Sequence, residues 1–435
     1  MMATNVFDLM RLAGDAASAV IRVRGWWLIG VDPVGTIDDL TGLEKLADAV
    51  RWRALRAHDD PPFTGGAIGY LSDDASPPLL ALPERDPRPA ITDLPPVRFE
   101  VFDTAVCVSP DGRPRVVAVD LDGWSVTDAA ARAGCWEAKI AEGATGDGGD
   151  LPDRSTRAPV RAQASLDRDA HTNAVRAALT SIGRGDMYQV NLTMQLAVDW
   201  PHGGRTLAAH LWAASPDAAH AAWIRTPDAE IVSVSPETFL RTDGDDVVSR
   251  PIKGTRPRSA DAAEDARQAE DLTGSEKDSA EHVMIVDLVR NDLGRVCRTG
   301  TVRVPDLAAL EALPTVWHLT STVRGVLRQD TGLADLLAAM FPPGSVTGAP
   351  KRSAWARIRT LEPVRRGVYC GAVGIVTGGL VDLSVAIRTA VVTADSASYG
   401  AGGGIVADSD PTAEHAEALD KAAAFLTATQ ALPPD

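Results

Sequence analysis

Short apolar runs alternate with longer amphipathic runs along the chain, and this pattern predicts a protein that contains both strands and helices. Strand-like runs include AAWIRT, EIVSVS, GAVGIVTG and VDLSVAIRTAVVT, whereas AHTNAVRAALTSI, AEHVMIVDLVRNDL and HAEALDKAAAFLTATQ have a helical period. The runs VFDTAVCV and RPRVVAVDL flank the loop SPDG and predict a β-hairpin. Because several strands are separated only by turns, we expect antiparallel sheets with helices packed outside them.

A change in composition divides the chain. Residues 141–165 are rich in Gly, Asp, Ser and Pro and have no apolar period, so we interpret them as a linker or a long surface loop. They separate an N-terminal subdomain, residues 1–150, from a catalytic region, residues 165–430. The length of 435 residues allows a large buried core.

Composition and charge limit the classes of function. The formal net charge of -16 opposes general binding to nucleic acid or to an anionic membrane, so an anionic ligand requires a local basic pocket or a metal. The sequence contains no signal-peptide pattern and no run of 18 or more apolar residues, and we expect a cytoplasmic protein. The four cysteines form no CxxC pair and are expected to be reduced packing residues.

Two acidic helices are candidates for a metal site. Glu281 shares a helix face with apolar residues three, four and seven positions further on, where an unpaired charge is costly. Glu414, Glu417 and Lys421 share a face of the second helix. The residues alone leave two interpretations open: ordinary ion pairs such as Glu417–Lys421, or convergence of Glu281 and Glu417 on Mg²⁺, which takes few protein carboxylates.

Glycine-rich and cationic segments add candidate ligand contacts. The segments FPPGSVTGAPK and YGAGGGIVADSD lack the spacing of a phosphate loop or a dinucleotide-binding fingerprint, so nucleotide binding is a weak hypothesis. Their glycines either let backbone N–H groups approach an anion or form a tight turn before a helix. Arg388, inside a strand-like run, should meet a carboxylate from the protein or from a ligand. Tyr369 and His318 are more readily explained as core residues than as ligand contacts or catalysts.

A series of motifs occurs in an order that resembles the chorismate-utilising enzymes. They are GDMYQVNLT, SPETFL, PIKGTRPR, AEHVMIVDLVRNDLGR, VWHLTSTVRG, FPPGSVTGAPK, RRGVYCGAVGIV, VAIRT and a glycine-rich segment followed by E..E...K. The dense match covers about residues 170–428, and FTGGAIGYL adds a weaker N-terminal match. The resemblance implies an α+β fold in which two large antiparallel β-sheets pack as a sandwich with flanking helices. It also implies chorismate, a dianion, as the substrate and Mg²⁺ as the cofactor.

The same resemblance implies roles for individual residues. The implied metal ligands are Glu281, Glu414 and Glu417. The implied substrate contacts are Gln189, Thr255, Thr347, Tyr369, Arg388, Gly402, Gly403, Gly404 and Lys421. The implied catalytic residues are Lys253, Glu237 as the general acid, and His318 near the ring.

Two positions distinguish the branches of this family. Gln189 stands where water-adding relatives have a lysine base, and a neutral amide cannot take a proton in that way. Relatives that form anthranilate usually have alanine in PIAGT, whereas PIKGT with Lys253 resembles the aminodeoxychorismate branch. The resulting hypothesis is amination of chorismate at C4, in which Lys253 acts as an uncharged amine that adds to C2 while Glu237 protonates the departing C4 hydroxyl.

Other assignments and a partner follow from the same comparison. The alternatives are an anthranilate synthase component I, an enzyme that stops at 2-amino-2-deoxyisochorismate, and a non-catalytic chorismate-binding subunit. No cysteine lies in a Gly-x-Cys-x-Gly turn, so the resemblance implies a separate glutamine amidotransferase subunit that supplies ammonia for a route to 4-aminobenzoate and folate. The Leu-Leu-Glu-Ser segment of a tryptophan pocket is missing, so tryptophan binding is not expected.

Overall fold

The computed structural model describes residues 6–55, 60–80, 82, 86–143, 160–216 and 218–434. The strands, numbered β1 to β23 in chain order, are Ala17–Val23, Trp26–Val31, Gly35–Ile37, Gly66–Leu71, Val97–Phe102, Thr104–Val108, Pro114–Ala118, Val160–Arg161, Gln163–Ala164, Gln189–Asp199, His220–Arg225, Glu230–Ser235, Thr238–Asp243, Asp246–Arg250, Ile252–Pro257, Arg303–Ala312, Val316–Val326, Gly348–Ala349, Ala372–Thr377, Leu380–Val385, Thr389–Val392, Ser396–Ile405 and Ala431–Leu432. The helices, α1 to α11, are Val6–Ala13, Leu40–Ala49, Ser76–Leu79, Ala129–Gly143, Arg168–Gly183, Gly203–Ala214, Ala262–Gly274, Glu276–Gly294, Leu333–Met340, Lys351–Leu361 and Pro411–Thr429.

Almost all strands belong to two large sheets. Within the described residues, the first sheet has eleven strands in the order β18-β10-β22-β21-β12-β11-β1-β2-β6-β7, with β9 beside β10. The second has ten, in the order β15-β17-β14-β13-β20-β19-β4-β5-β3, with β16 beside β17. Neighbouring strands in both sheets are antiparallel, as in the pairs β10–β22 and β15–β17. The predicted α+β class with two large antiparallel sheets is confirmed.

The two sheets pack face to face through a shared apolar core. Ile21 of the first sheet and Ile68 of the second belong to the same buried cluster. At Gly30, an added Cβ would lie 2.7 Å from the Phe102 ring, so the sheets approach each other there too closely for a side chain. This contact between the faces confirms the predicted sandwich.

The helices cover the outer faces of this sandwich. Phe425 of α11 stacks on Tyr399 of the first sheet, with 4.7 Å between the ring centroids. On the second sheet, Val286 of α8 and Val323 of β17 belong to one buried cluster. The helical runs predicted at 170–182, 280–293 and 415–430 lie in α5, α8 and α11, although Gln430 falls just after the end of α11.

The proposed linker lies only in part within the described residues. Of the proposed linker, residues 144–159 lie outside the described residues, whereas 141–143 end α4 and 160–164 include the short strands β8 and β9. The interpretation of residues 141–165 as a linker or a long surface loop stays a prediction. Strands from before and after it share both sheets, since β1 pairs with β11 and β4 pairs with β19. The division into an N-terminal subdomain and a catalytic region stays a prediction.

One predicted strand is in fact two. The hairpin expected around SPDG is confirmed as β6 and β7. The run VDLSVAIRTAVVT, by contrast, leaves the second sheet after β20 and joins the first sheet as β21. Arg388, between the two, has a φ of +52°, a left-handed conformation that ends the pleated strand. The expectation that Arg388 lies inside a continuous strand was wrong, because the apolar pattern continues across the break.

The described helices and the four cysteines bear on two further expectations. No helix in the described parts of the chain combines the length and the apolar character that a membrane span requires. All four cysteines are free, and Cys107, Cys297 and Cys370 are buried as expected. Cys135 is exposed, so it is not the packing residue that was predicted.

Candidate active site

A cavity of about 600 Å³ opens where β15 and β17 of the second sheet face β22 of the first, with α8 and α11 beside them. Most of the predicted site residues line it, and they are Glu237, Lys253, Thr255, Glu281, His318, Tyr369, Arg388, Gly402, Gly404, Glu414, Glu417 and Lys421. Three others are outside its wall: Gln189, Thr347 and Gly403. The sequence motifs, which lie far apart along the chain, therefore converge on one cavity.

Lys253 projects from β15 into this cavity. Its Nζ lies 3.2 Å from Glu281 Oε2 on α8, and the two side chains are 15% and 10% exposed. A Cβ built on Gly404 would lie 2.7 Å from the same Nζ and 2.6 Å from Nε2 of Gln189. Gln189 is fully buried, and neither atom of its amide has a hydrogen-bond partner among the described residues. The amine and this amide therefore both lie close to the space that the missing Gly404 side chain leaves.

Glu237 is one of the buried carboxyl groups that line the cavity. The Ser345 hydroxyl donates a hydrogen bond to its Oε1 at 2.7 Å. Burial raises the pKa of Glu237 to about 7, although the Ser345 hydrogen bond and the charge of Lys253 act in the opposite direction. A carboxyl group with a pKa near neutrality is suited to donate a proton as a general acid.

The three predicted metal ligands come from two helices. Ser275 caps the start of α8, which carries Glu281. Asp410 caps α11, which carries Glu414 and Glu417, and Pro411 occupies its first turn. Sequence periodicity predicted these helix faces, whereas their place on one cavity wall depends on the packing of α8 on the second sheet and of α11 on the first.

Each of these carboxylates has a lysine beside it. Glu414 Oε1 lies 3.5 Å from Lys277 Nζ, and Glu417 Oε1 lies 2.7 Å from Lys421 Nζ. Burial raises the pKa of Glu414, against the effect of its hydrogen bond from Ser409. Burial also acts to raise the pKa of Glu417, but Lys421, together with the charges of Lys253 and Lys277, holds that pKa below its usual range. The predicted Glu417–Lys421 ion pair is therefore present.

The carboxylates suit a hard cation with an incomplete protein shell. A Cβ on Gly403 would lie 3.1 Å from Glu414 Oε2 and 3.6 Å from Glu417 Oε1, so the missing side chain leaves space in front of two carboxylates. The described residues contain no ready-made cluster of three or more ligating side chains. Mg²⁺ commonly takes one or two protein carboxylates and completes its octahedron with water and substrate oxygens, so the arrangement fits Mg²⁺.

Cationic and polar groups line the rest of the cavity. The Arg388 guanidinium donates to the backbone carbonyl of Lys421, and no protein carboxylate pairs with it in the described part of the chain. Lys421 Nζ donates to the Gly402 carbonyl at 2.8 Å. Tyr369 is buried in the wall, and burial raises its pKa. The prediction that Arg388 meets a carboxylate of the protein is not met, so its alternative, a carboxylate of a ligand, stays a prediction.

His318 and two threonines form hydrogen-bonding contacts within the protein. His318 Nδ1 lies 3.0 Å from the Thr255 hydroxyl, and burial lowers the pKa of the histidine. Thr347 donates its hydroxyl to the Pro343 carbonyl at 2.9 Å. Within the protein, the Thr347 hydroxyl therefore secures its own turn.

The glycine-rich segment at 400–404 is strand rather than turn. It lies within β22 and pairs with β10. Of the two interpretations left open for these glycines, the tight turn before a helix was wrong there, because the strand continues to Ile405 before the chain turns. The structural reason for glycine is space, since a Cβ on Gly400 would lie 2.2 Å from the Tyr369 ring.

Several cavity residues were not found by sequence reasoning. They include Asn191, Lys277, Asp278, Ser345 and Asp420. Each lies within or next to a motif that was recognised, which was the available signal. Helical or strand periodicity alone does not show which polar side chain turns into a cavity.

Comparison with known proteins gives the class. Residues 20–427 match the family of chorismate binding enzymes. The chain is 37% identical to anthranilate synthase component 1 of Thermus thermophilus, over 96% of this chain and 88% of the relative. It is 38% identical to aminodeoxychorismate synthase component 1 of Klebsiella aerogenes, over 84% and 77%. The crystal structure of anthranilate synthase component I from Streptococcus pneumoniae superimposes with a TM-score of 0.80 at 28% identity, covering 93% of this chain and 92% of that one.

The chain belongs to the chorismate binding enzyme family. Its resemblance to chorismate-utilising enzymes is thus confirmed at the level of the family and the fold. The two named relatives carry out differently named reactions and have similar identities to this chain. Sequence identity alone therefore does not distinguish the two reactions.

Proposed function

We propose that this chain is the chorismate-aminating component of an aminodeoxychorismate synthase. It converts chorismate and ammonia into 4-amino-4-deoxychorismate and water. The observation that carries the proposal is Lys253, whose amine projects into the cavity and is close enough to influence the buried acid Glu237 electrostatically. A chain that aminates chorismate directly at C2 has no need of an amine at that position.

The charges of the cavity support a dianionic substrate. Arg388 has no carboxylate partner among the described residues, and it lies on the cavity wall with Tyr369 and Lys421. In the proposed complex, these groups bind the carboxylates of chorismate. A guanidinium forms strong, directional hydrogen bonds with a carboxylate, so Arg388 also orients the ring.

Two displacement steps follow from the positions of the amine and the acid. The lone pair of Lys253 Nζ forms a bond to C2, the ring double bond shifts, and the C4–O bond breaks as Glu237 donates a proton to the departing water. Ammonia then forms a bond to C4, the double bond shifts back, and the C2–Nζ bond breaks with its electron pair returning to lysine. The new C4 ammonium group returns one proton to Glu237, so the enzyme is restored.

Magnesium is part of this proposal. Glu281, Glu414 and Glu417 would hold it, in line with the space in front of Gly403. When bound, Mg²⁺ neutralises and orients carboxylate charge on the substrate. The residues of the chain still supply the nucleophile, the acid and the contacts that position the ring.

The proposal requires a supply of ammonia. The curated relatives are named as component 1, which agrees with a separate second component. We propose a glutamine amidotransferase subunit in that role, in a cytoplasmic route to 4-aminobenzoate and folate. Added ammonium replaces this partner in an assay of the chain alone.

Anthranilate synthase component I is the alternative, because the Thermus relative with that name covers nearly the whole chain. The two functions give different products from the same substrates. Anthranilate in place of a C4 amine would assign the chain to that branch. No turnover with ammonium and Mg²⁺ would instead favour a non-catalytic chorismate-binding subunit.

The deciding experiment replaces the amine. Lys253→Ala is expected to lower formation of the C4 amine from chorismate, ammonium and Mg²⁺ by about a thousandfold or more, since the covalent step is lost. The product is identified by mass and by conversion with an aminodeoxychorismate lyase. Lys45→Ala, at an exposed position of α2, is the matched control and should retain full turnover. Unchanged formation of the C4 amine by Lys253→Ala would remove lysine from the mechanism.

A further inference from the structure

Behind the acid Glu237 lies a turn that the proposed mechanism has not used. Residues Gly344–Val346 form a single 3₁₀ turn between α9 and α10. Ser345 of this turn is buried, and its hydroxyl donates to Glu237 Oε1 at 2.7 Å. Ser345 lines the main cavity and also a small second cavity behind Glu237.

The turn is held in place from both sides. Arg366 Nη1 donates to the Val346 carbonyl at 2.8 Å. The Lys351 ammonium donates to the Met340 carbonyl and pairs with Asp292, each at 2.6 Å. These buried contacts fix the backbone on both sides of Ser345.

We propose that Ser345 is a positioning residue for the proton-donating carboxyl group of Glu237. Its hydroxyl occupies Oε1 and fixes the orientation of the carboxyl group towards the cavity. It also stabilises the carboxylate that remains after the proton has been transferred to the departing hydroxyl. The identity of Glu237 as the acid rests on the proposed function.

The surroundings of Glu237 make this hydroxyl important. Lys253 on β15 is the amine that acts electrostatically on the acid, and Asp292 on α8 is the charged residue, besides Glu237, that lines the small cavity. Asp292 is already paired with Lys351. Among the described side chains, Ser345 is the one that donates a hydrogen bond to the Glu237 carboxyl group. This bond opposes the upward effect of burial on the pKa of Glu237.

Loss of the Ser345 hydroxyl should shift the pH dependence of turnover to higher pH. Glu237 must be protonated to act as an acid, so turnover falls as pH rises above its pKa of about 7. Ser345→Ala removes a bond to the charged form and raises that pKa further. The alkaline fall in kcat/KM should therefore move to higher pH by about one unit. We expect kcat to fall about tenfold, because the carboxyl group is a weaker and less well oriented acid.

The test measures both turnover and the carboxyl group itself. The infrared C=O band of protonated Glu237, assigned by its loss in Glu237→Gln, is followed against pH in wild type and Ser345→Ala. Ser249→Ala is the matched control, since Ser249 is a buried serine on the small cavity that makes no described bond to Glu237. Ser345→Thr keeps a hydroxyl, so its Glu237 band should be lost over the same pH range as in wild type.

The outcomes separate the two proposals. The midpoint is the pH at which half of the Glu237 C=O band is lost. A midpoint that rises in Ser345→Ala and not in Ser249→Ala supports the positioning role, even if the product proves to be anthranilate or no turnover is found. An unmoved midpoint in Ser345→Ala, or an equal rise in the control, overturns it. If Ser345→Ala does not fold, Ser345→Cys is measured in its place and should shift the midpoint in the same direction, since a thiol is a poorer donor.

Discussion

Gly402 and Gly404 lie two residues apart on β22, yet an added methyl group would meet different neighbours at each position. At Gly402, a Cβ would lie 2.1 Å from the Leu192 carbonyl oxygen, an atom of the paired strand β10. At Gly404, it would meet the ends of the Gln189 and Lys253 side chains. The Leu192 backbone cannot move without a shift of the sheet, whereas the ends of the Gln189 and Lys253 side chains can change conformation.

We therefore expect the two alanine variants to fail in different ways. Gly402→Ala should lower the free energy of unfolding by about 1–3 kcal/mol, as over-packing does. Gly404→Ala should unfold close to wild type but lose about tenfold or more in turnover, because it displaces the amine and its neighbouring amide. Urea denaturation and chorismate turnover measure the two effects. A large loss of stability in Gly404→Ala would contradict the assignment of this glycine to the site.

Residue-level chemistry was only partly predictable from the sequence. The motifs led to Lys253 and Glu237, because each lies in a short segment with a recognisable pattern. Ser345 was missed, since nothing in its spacing shows that the hydroxyl turns towards Glu237. That contact depends on the fold of a turn that is more than 100 positions away along the chain.

Helices α8 and α11 each present carboxylates to the cavity. The helical period correctly placed Glu281 on a buried face and Glu417 beside Lys421. The period does not reveal that the two helices meet at one cavity, because that depends on the order of strands beneath them. The pattern also missed the break at Arg388, where backbone conformation rather than hydrophobicity changes.

These helices carry the prediction for magnesium. Glu281→Gln and Glu417→Gln should each raise the Mg²⁺ concentration for half-maximal turnover by about tenfold or more, because a neutral amide is a weaker ligand for a hard cation. Calorimetric titration with Mg²⁺ gives a readout apart from activity. Glu137→Gln, at an exposed position of α4, is the control. Wild-type magnesium dependence in both site variants would exclude these ligands.

At the scale of the whole molecule, the parts before and after residues 144–159 are joined by buried polar contacts as well as by shared sheets. The Asp73 backbone N–H, just after β4, donates to the Gly367 carbonyl at 2.8 Å. Arg366 forms a buried ion pair with Glu362, with atoms 2.6 Å apart. The Asp73 side chain is buried, and its Oδ1 has no hydrogen-bond partner among the described residues.

Asp73 gives the molecule a predicted dependence on pH. Burial raises its pKa to about 7, against the effect of Arg366, so the folded chain holds this proton more tightly than the unfolded chain does. The resulting stabilisation is present below about pH 4 and is lost as pH rises through 7. Asp73→Asn should therefore exceed wild type in free energy of unfolding by on the order of 2 kcal/mol at pH 8, with a smaller difference at pH 5.

Urea denaturation at both pH values measures this difference. Asp122→Asn, at an exposed position, should differ little from wild type at either pH. A difference for Asp73→Asn that does not grow between pH 5 and pH 8 would contradict the assigned titration.

The position of β22 has a consequence for biosynthesis. This strand comes late in the chain, yet it lies between β10 and β21 in the first sheet, and the helix that follows it brings Glu414 and Glu417. A nascent polypeptide on the ribosome consequently leaves β10 without this neighbour until translation has passed Ile405. Premature termination before that point would release a fragment with an open sheet edge and no complete pocket, which is a natural substrate for chaperones and proteases.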